Sequence, residues 1–381
     1  MDYPRSKLLM LPGPTNVPDR VNHAMIRSMV NHRSETFTHV LKGVTEKSRA
    51  LFQTEGDPII LTASGTGGVE AAVWNIVRPG DKVVIPVCGE FGTRLAEVIE
   101  LAGGETVRVS SEPGTVPSVE AVEEAVRSTP NVKAVYVVHN ETSGGTTIPY
   151  VERLAKVAAD AGAFYVVDAI SSLGGYSLPV DKWGIDICVT GSQKCLAAPP
   201  GLALLSVSKK AADLIRKNPP RVRYFDLGRQ MDFLAHGETP FTPAVSLYYA
   251  LDEALSWLIE EGLENRVERH ALHARTLYSL LGALGLKGLA EEKVRSNTVI
   301  AGFYPSGIDD KVFRKKLSDE HDLVIGAGVG NLKGKVFRIG SMGDVSSAHV
   351  NRTASAMALT FQKMGYPVDL GRIASVLATP S

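Results

Sequence analysis

With 381 residues, 44% of them hydrophobic, and 36 glycines, the chain can bury a large core and is long enough for one large and one small domain. Lysine plus arginine equals aspartate plus glutamate at 41 each, so no global field favours a nucleic acid or an anionic membrane. No apolar run approaches the ~20 residues of a membrane span and no targeting signal is visible, so a cytoplasmic location is expected.

Residues 1–17 read as an extended arm, because Pro12 and Pro14 exclude helix, and such an arm is expected to lie against a partner subunit. The stretch PIILTASGTGGVE from Pro58 to Glu70 then reads as a strand, a small-residue turn and a helix. Its Ser64 and Thr66 can donate hydroxyl hydrogen bonds. Gly65, Gly67 and Gly68 let backbone N–H groups approach an anion at the positive end of the helix. The spacing matches neither the dinucleotide fingerprint nor the P-loop, so a phosphate cradle of another kind is expected.

Apolar runs at 58–61, 82–87, 106–109, 134–138, 164–167, 185–190 and 202–207 alternate with helical patterns such as Val151 to Ala161. That alternation predicts an α/β fold with a mostly parallel sheet covered by helices. The run AFYVVDAI ends in Asp168, placing a carboxylate at the carboxyl end of a strand buried on both faces, where open α/β sheets bind ligands. An isolated Asp there would want a cationic partner. Further on, VTGSQKCL puts Lys194 just past another apolar strand, beside Ser192 and Gln193. A strand-end lysine is usually solvated, but a partly desolvated one becomes a nucleophile near neutral pH. Beyond about 262 the pattern changes to a long helix from Leu263 to Leu284 and a few strands, including Asn297 to Gly302 and Lys335 to Ile339. The expected division is an arm (1–17), a large domain (18–262) and a small C-terminal domain (263–381).

Cys88, Cys188 and Cys195 have no C-x-x-C spacing and read as reduced packing residues. His270 and His273, the closest histidine pair, lie in a polar helical stretch with no third ligand nearby. A solvated helix face, not a metal site, is expected there.

A phosphate cradle, a buried Asp and a strand-end Lys are together the parts that hold pyridoxal 5'-phosphate: an anchor, a ring-nitrogen partner and an amine. The chain resembles the class V pyridoxal-phosphate aminotransferases of the alanine-glyoxylate and serine-pyruvate group. The likeness is carried by LPGPTNVP, ASGTGGVEAA, CGEFG, HNETSGG, VDAISSLGG, GIDICVTGSQKCLAAPPG, TPAVSLYYAL, EEGLENR and GKVFRIGSMG, spread over nearly the whole chain. The resemblance implies the fold-type-I architecture: a large three-layer α/β/α domain with a mostly parallel seven-stranded sheet, plus a small α+β domain. It also implies transamination between a small amino acid, alanine or serine, and glyoxylate or pyruvate, in a homodimer with a shared active site.

On that resemblance Lys194 and Asp168 are catalytic. Ser64, Gly65, Thr66, Phe91, Thr142, Ile170, Ser192 and Gln193 bind cofactor; Gly13, Thr142 and Arg338 bind substrate. Phe91 takes the place of an aromatic that stacks on the cofactor ring, often Trp in the family, and offers less area and no N–H donor. Thr242, or in its place Thr239, reaches the phosphate of the neighbouring subunit. Arg338 would grip the substrate carboxylate with paired hydrogen bonds. Arg33 lies in a stretch that often borders the site, and its role stays open. Aspartate or aminoethylphosphonate remain alternative donors. A desulfurase is disfavoured because no cysteine follows Cys195. A non-catalytic cofactor-binding protein would need a recognition domain for which the sequence shows no segment.

Overall fold

The computed structural model describes residues 7–378; arm residues 1–6 lie outside the described residues. Thirteen strands occur among them: β1 (Leu8–Met10), β2 (Ile59–Thr62), β3 (Lys82–Val87), β4 (Glu105–Ser110), β5 (Val132–Val138), β6 (Asn140–Glu141), β7 (Thr146–Thr147), β8 (Phe164–Asp168), β9 (Ile187–Gly191), β10 (Leu202–Val207), β11 (Val299–Phe303), β12 (Leu323–Ala327) and β13 (Val336–Gly340). The large sheet has the order β2-β10-β9-β8-β5-β3-β4, parallel throughout except for β10, which runs against both neighbours.

The continuous apolar runs have a simple cause. Successive side chains of a strand point to opposite faces, and here each face carries its own core. Val135, Val137, Tyr165, Val167 and Cys188 enter one core, and Ala134, Tyr136, Val138, Val166, Ile187 and Val189 the other. Helices supply the remaining surfaces. In the helix Val151–Asp160, Leu154, Ala155 and Ala158 are buried a turn apart, and the charged residues face outward. All the parallel strands therefore direct their carboxyl ends to one edge, where the loops after β2, β3, β5, β8 and β9 converge.

A third core, with Phe313, Phe337 and Phe361, lies under a four-stranded sheet of order β1-β12-β13-β11. Leu8–Met10 pairs in parallel with Leu323–Ile325 of the same chain, so this part of the expected arm is a strand of the small sheet. From there the chain crosses to the large sheet at Pro12 and Gly13. Cys88, Cys188 and Cys195 are buried and free. His270 and His273 correct the sequence reading: both are buried, because the helix Leu263–Ala283 packs that face against the loop around Gly343 and Ser347. No helix among the described residues is long and apolar enough to cross a membrane.

Candidate active site

A cleft of about 160 Å³ opens at the carboxyl edge of the large sheet. Its lining includes Gly65, Thr66, Phe91, Thr142, Asp168, Ile170, Gln193 and Lys194, brought from five separate loops. Lys194 projects into it from the turn after β9, and its Nζ donates to the carbonyl of Pro12. Gly13, with φ of +104°, has to lack a side chain, since a Cβ there would stand 2.5 Å from that Nζ. Burial, together with the nearby Arg338 guanidinium, draws the Lys194 ammonium below its ordinary range, despite the opposing pull of Cys195 and Asp168.

Asp168 closes the floor of the cleft. Burial pushes its carboxyl up to about 6, helped by the charge of Glu141, while the Ile170 N–H (2.9 Å to Oδ1) and Lys194 pull the other way. A carboxylate this enclosed is short of positive charge.

The helix Gly65–Ile76 points its N-terminus at the same cleft. Its N-cap Ser64 is exposed and makes no capping hydrogen bond, and the exposed Thr66 of its first turn lines the cleft with Gly65. Gly65 is needed for close packing, because a Cβ would lie 2.8 Å from Ile170 Cδ1. Phe91 sits in the first turn of the helix Glu90–Leu101, with the Arg94 guanidinium 5.0 Å from its ring centroid. That helix is held by Glu141, whose buried carboxylate accepts from the N–H groups of Phe91 (2.9 Å) and Gly92 (3.1 Å) and from Ser143.

Several expected residues lie outside the cleft lining. Ser192 is fully buried and does not line the cleft: its hydroxyl donates to the Pro199 carbonyl (2.6 Å) and accepts from the Leu202 N–H (3.3 Å), bracing the turn. Arg338 stands beside the cleft, its Nε bonded to the Ala327 carbonyl (2.7 Å) and its Nη1 to that of Thr142 (3.0 Å). Thr242 is exposed in a separate pocket with Thr239 and Tyr224, away from this chain's own Lys194. The Thr239 hydroxyl donates to the Phe241 carbonyl (2.9 Å). Arg33 holds the same loop, through Glu238 (2.9 Å) and the Thr239 carbonyl (2.7 Å).

Asn140, Ser171 and Arg94 also line the cleft and were not singled out from the sequence. Asn140 and Ser171 lie inside HNETSGG and VDAISSLGG, so the signal was adjacent. Arg94 is three residues past Phe91, one helical turn on, and helical spacing alone would have put it on the same face.

The chemistry of this donor set fits pyridoxal phosphate. An under-compensated Asp168 suits a protonated ring nitrogen, a depressed lysine suits a carbonyl carbon, and a helix N-terminus with two hydroxyls suits a phosphate. Gln193 has a buried, unpartnered Oε1, and half a turn of its amide would present two N–H donors in that oxygen's place, the polarity an anion requires.

Residues 15–332 match the model of the family described as aminotransferase class-V. The chain is 43% identical to an uncharacterised aminotransferase of Methanocaldococcus jannaschii, over 95% of this chain and 94% of that one. It is 39% identical to a serine–glyoxylate aminotransferase of Methylorubrum extorquens, over 89% and 87%. A solved alanine–glyoxylate aminotransferase from Nostoc sp. superposes with a TM-score of 0.90 at 31% identity, covering 95% of this chain and 96% of that one.

Proposed function

The chain belongs to the aminotransferase class-V family and is a pyridoxal-phosphate-dependent aminotransferase, and we propose that it moves the amino group of a small uncharged amino acid, alanine or serine, to glyoxylate or pyruvate. The observation that carries this reading is the convergence of Lys194, Asp168 and the N-terminus of the helix Gly65–Ile76 on one small cleft.

When bound, pyridoxal phosphate supplies a conjugated electron sink that lets the amino acid's Cα–H ionise. Asp168 holds a proton at the ring nitrogen. Lys194, neutral more readily than an ordinary lysine, would take the proton from Cα and deliver it to the cofactor's C4′ carbon. Phe91 supports the ring's face, and Ser64, Gly65, Thr66 and Gln193 hold the phosphate. Arg338 binds the α-carboxylate through Nη2, since its Nε and Nη1 already engage carbonyls that fix the guanidinium plane. Thr142, whose carbonyl is one of those anchors, faces cofactor and substrate together, and Gly13 leaves them room beside Lys194.

One observation favours aspartate as a second donor. Arg94 lines the cleft, is itself exposed, and is paired only loosely with the half-buried Glu90 at 3.5 Å, so it can receive a second acidic group.

The active unit we propose is a homodimer in which Thr242 of each chain reaches the phosphate of the other. Ile26 and Met29 support it: they are 82% and 69% exposed, large and apolar, and they lie just before Arg33, which grips the loop carrying Thr242. Thr242 is favoured over Thr239, whose hydroxyl is engaged. The proposed division into arm (1–17), large domain (18–262) and small domain (263–381) is supported by the two sheets with separate cores, joined where Gly262 adopts φ of +83°. A cytoplasmic location completes the proposal.

The visible spectrum of the purified protein tests the reading. A cofactor band that bleaches with L-alanine and returns with glyoxylate is expected. A band that responds only to L-aspartate would select the second reading, and no band after addition of pyridoxal phosphate would remove Lys194 from its role.

A further inference from the structure

The motif EEGLENR has no part in the chemistry described so far, yet it builds a charge cluster around a fully buried guanidinium next to the lysine's turn. Arg266 is fully buried, although a guanidinium is among the costliest groups to remove from water. It packs 4.5 Å from the centroid of Trp257. Its Nη1 donates to Glu261 (2.7 Å), while Nε (3.3 Å) and Nη2 (2.8 Å) both donate to a single acceptor, the carbonyl of Cys195. Cys195 directly follows Lys194.

The turn so gripped is strained. Ala197 has φ of +56°, a left-handed conformation that an alanine rarely adopts and that persists only where its surroundings hold it. Three successive carbonyls of this turn are held from outside. Thr15 N–H bonds that of Gln193 (3.3 Å), Thr15 Oγ1 that of Lys194 (3.3 Å), and Arg266 that of Cys195.

Glu261 also binds Arg269 (2.6 and 3.1 Å), which in turn donates to the carbonyls of Gly343 (3.2 Å) and Val345 (2.8 Å). His270 donates through Nδ1 to the Arg266 carbonyl (2.7 Å) and accepts from the Gly343 N–H (3.1 Å), a pairing that requires the neutral ring. A Cβ on Gly343 would stand 2.9 Å from the Lys194 carbonyl, so the loop after β13 presses on the same turn.

We propose that Arg266, oriented by Glu261, is a positioning residue for transamination: its planar fork pins the Cys195 carbonyl and thereby fixes where Lys194 presents its Nζ. The inference rests on the reading of Lys194 as the cofactor-bearing residue. Lysine at 266 keeps a charge but cannot deliver two N–H bonds in a fixed plane, so Arg266→Lys releases the turn to relax around Ala197. Glycine tolerates the left-handed conformation, so Ala197→Gly should let the turn keep its shape without the pin.

The test compares wild type, Arg266→Lys, Ala197→Gly and the double variant as holoenzymes, each assayed well below its melting temperature. Arg266→Lys is expected to lower kcat about tenfold or more with KM within about twofold, and to weaken the dichroism of the cofactor band, since orientation of the attacking group is what is lost. Ala197→Gly should restore a substantial part of both. Amide exchange over residues 193–198 of the cofactor-free protein should rise about tenfold in Arg266→Lys and fall back in the double variant. If Arg266→Lys does not fold, Glu261→Gln, which loosens the same guanidinium, should move the same readouts in the same direction. Folded variants with wild-type kcat, dichroism and exchange would overturn the proposal, and so would a loss that Ala197→Gly leaves untouched. A wild type that takes up no cofactor would instead remove the reading of Lys194, and the exchange measurement would still decide whether Arg266 pins the turn.

Discussion

The carboxyl of Asp168 illustrates a conflict between stability and function at one residue. Its folded value of about 6 stands above the ordinary 3.8, so between these values the folded protein binds more protons than the unfolded chain. Stability therefore falls as pH rises through that window, and the full penalty is present above it. Converted at 1.36 kcal/mol per unit, the penalty reaches up to about 3 kcal/mol in the cofactor-free protein. Asparagine keeps an acceptor for the Ile170 N–H and carries no charge. Cofactor-free Asp168→Asn should thus be more stable than wild type at pH 7, with the difference fading as pH falls towards 4. Urea unfolding at several pH values checks this, and a variant less stable at pH 7 would contradict it. The holoenzyme should show the opposite preference in rate, because the variant cannot keep the ring nitrogen protonated. Natural sequences commonly carry this sort of local penalty at a site that needs it.

At the scale of elements, the helix Gly65–Ile76 shows how packing aims an anion site. Gly68 lies against β9 and β10, where a Cβ would meet Val189 Cγ1 at 2.8 Å and Ala203 Cβ at 3.0 Å. Alanine there gains up to about 1 kcal/mol of helix propensity but costs about 1 to 3 kcal/mol in overpacking against rigid strands. The net expectation for Gly68→Ala is a destabilisation of up to about 2 kcal/mol, read from the urea midpoint. A weaker affinity for pyridoxal phosphate should accompany it, as the helix N-terminus moves off the cleft. Unchanged affinity would mean that the N-terminus does not hold the phosphate. The strands behind this helix were legible in the sequence because they are buried on both faces: β3 and β10 have the bounds that their apolar runs suggest. Strands β1 and β12 were not, since LLM and LVIGA are short and their pairing joins residues more than three hundred apart. Lys194 and Asp168 stood out as charges ending apolar runs. Burial of His270 and His273 did not, because their partners (the Arg266 carbonyl, the Gly343 N–H and the Ser347 hydroxyl) make a polar helix face an inner one. Likewise, nothing local in SQK reveals that the Ser192 hydroxyl is spent on the backbone while the Gln193 Oε1 stays unpartnered.

For the whole molecule, the placement of Thr242 carries the argument. It is exposed on a loop whose pocket is separate from the cleft of this chain's Lys194, so in the proposed homodimer its contact with a phosphate would be made across the two-fold axis. Such an isologous dimer contains two composite sites, each taking Lys194 from one chain and Thr242 from the other. An aspartate at 242 leaves the fold unstressed, because the position is exposed, and repels the phosphate by like charge. Lys194→Ala and Thr242→Asp should each be inactive, or nearly so, as homodimers. Co-refolding equal amounts makes about half of the dimers hybrid, and in each hybrid one site collects both substitutions while the other has neither. Activity should therefore return to about one quarter of the wild-type value, the fraction of sites that two-fold pairing leaves intact. A site built from one chain would have no such route to recovery, and a mixture no more active than its parents would place Thr242 outside the neighbour's active site.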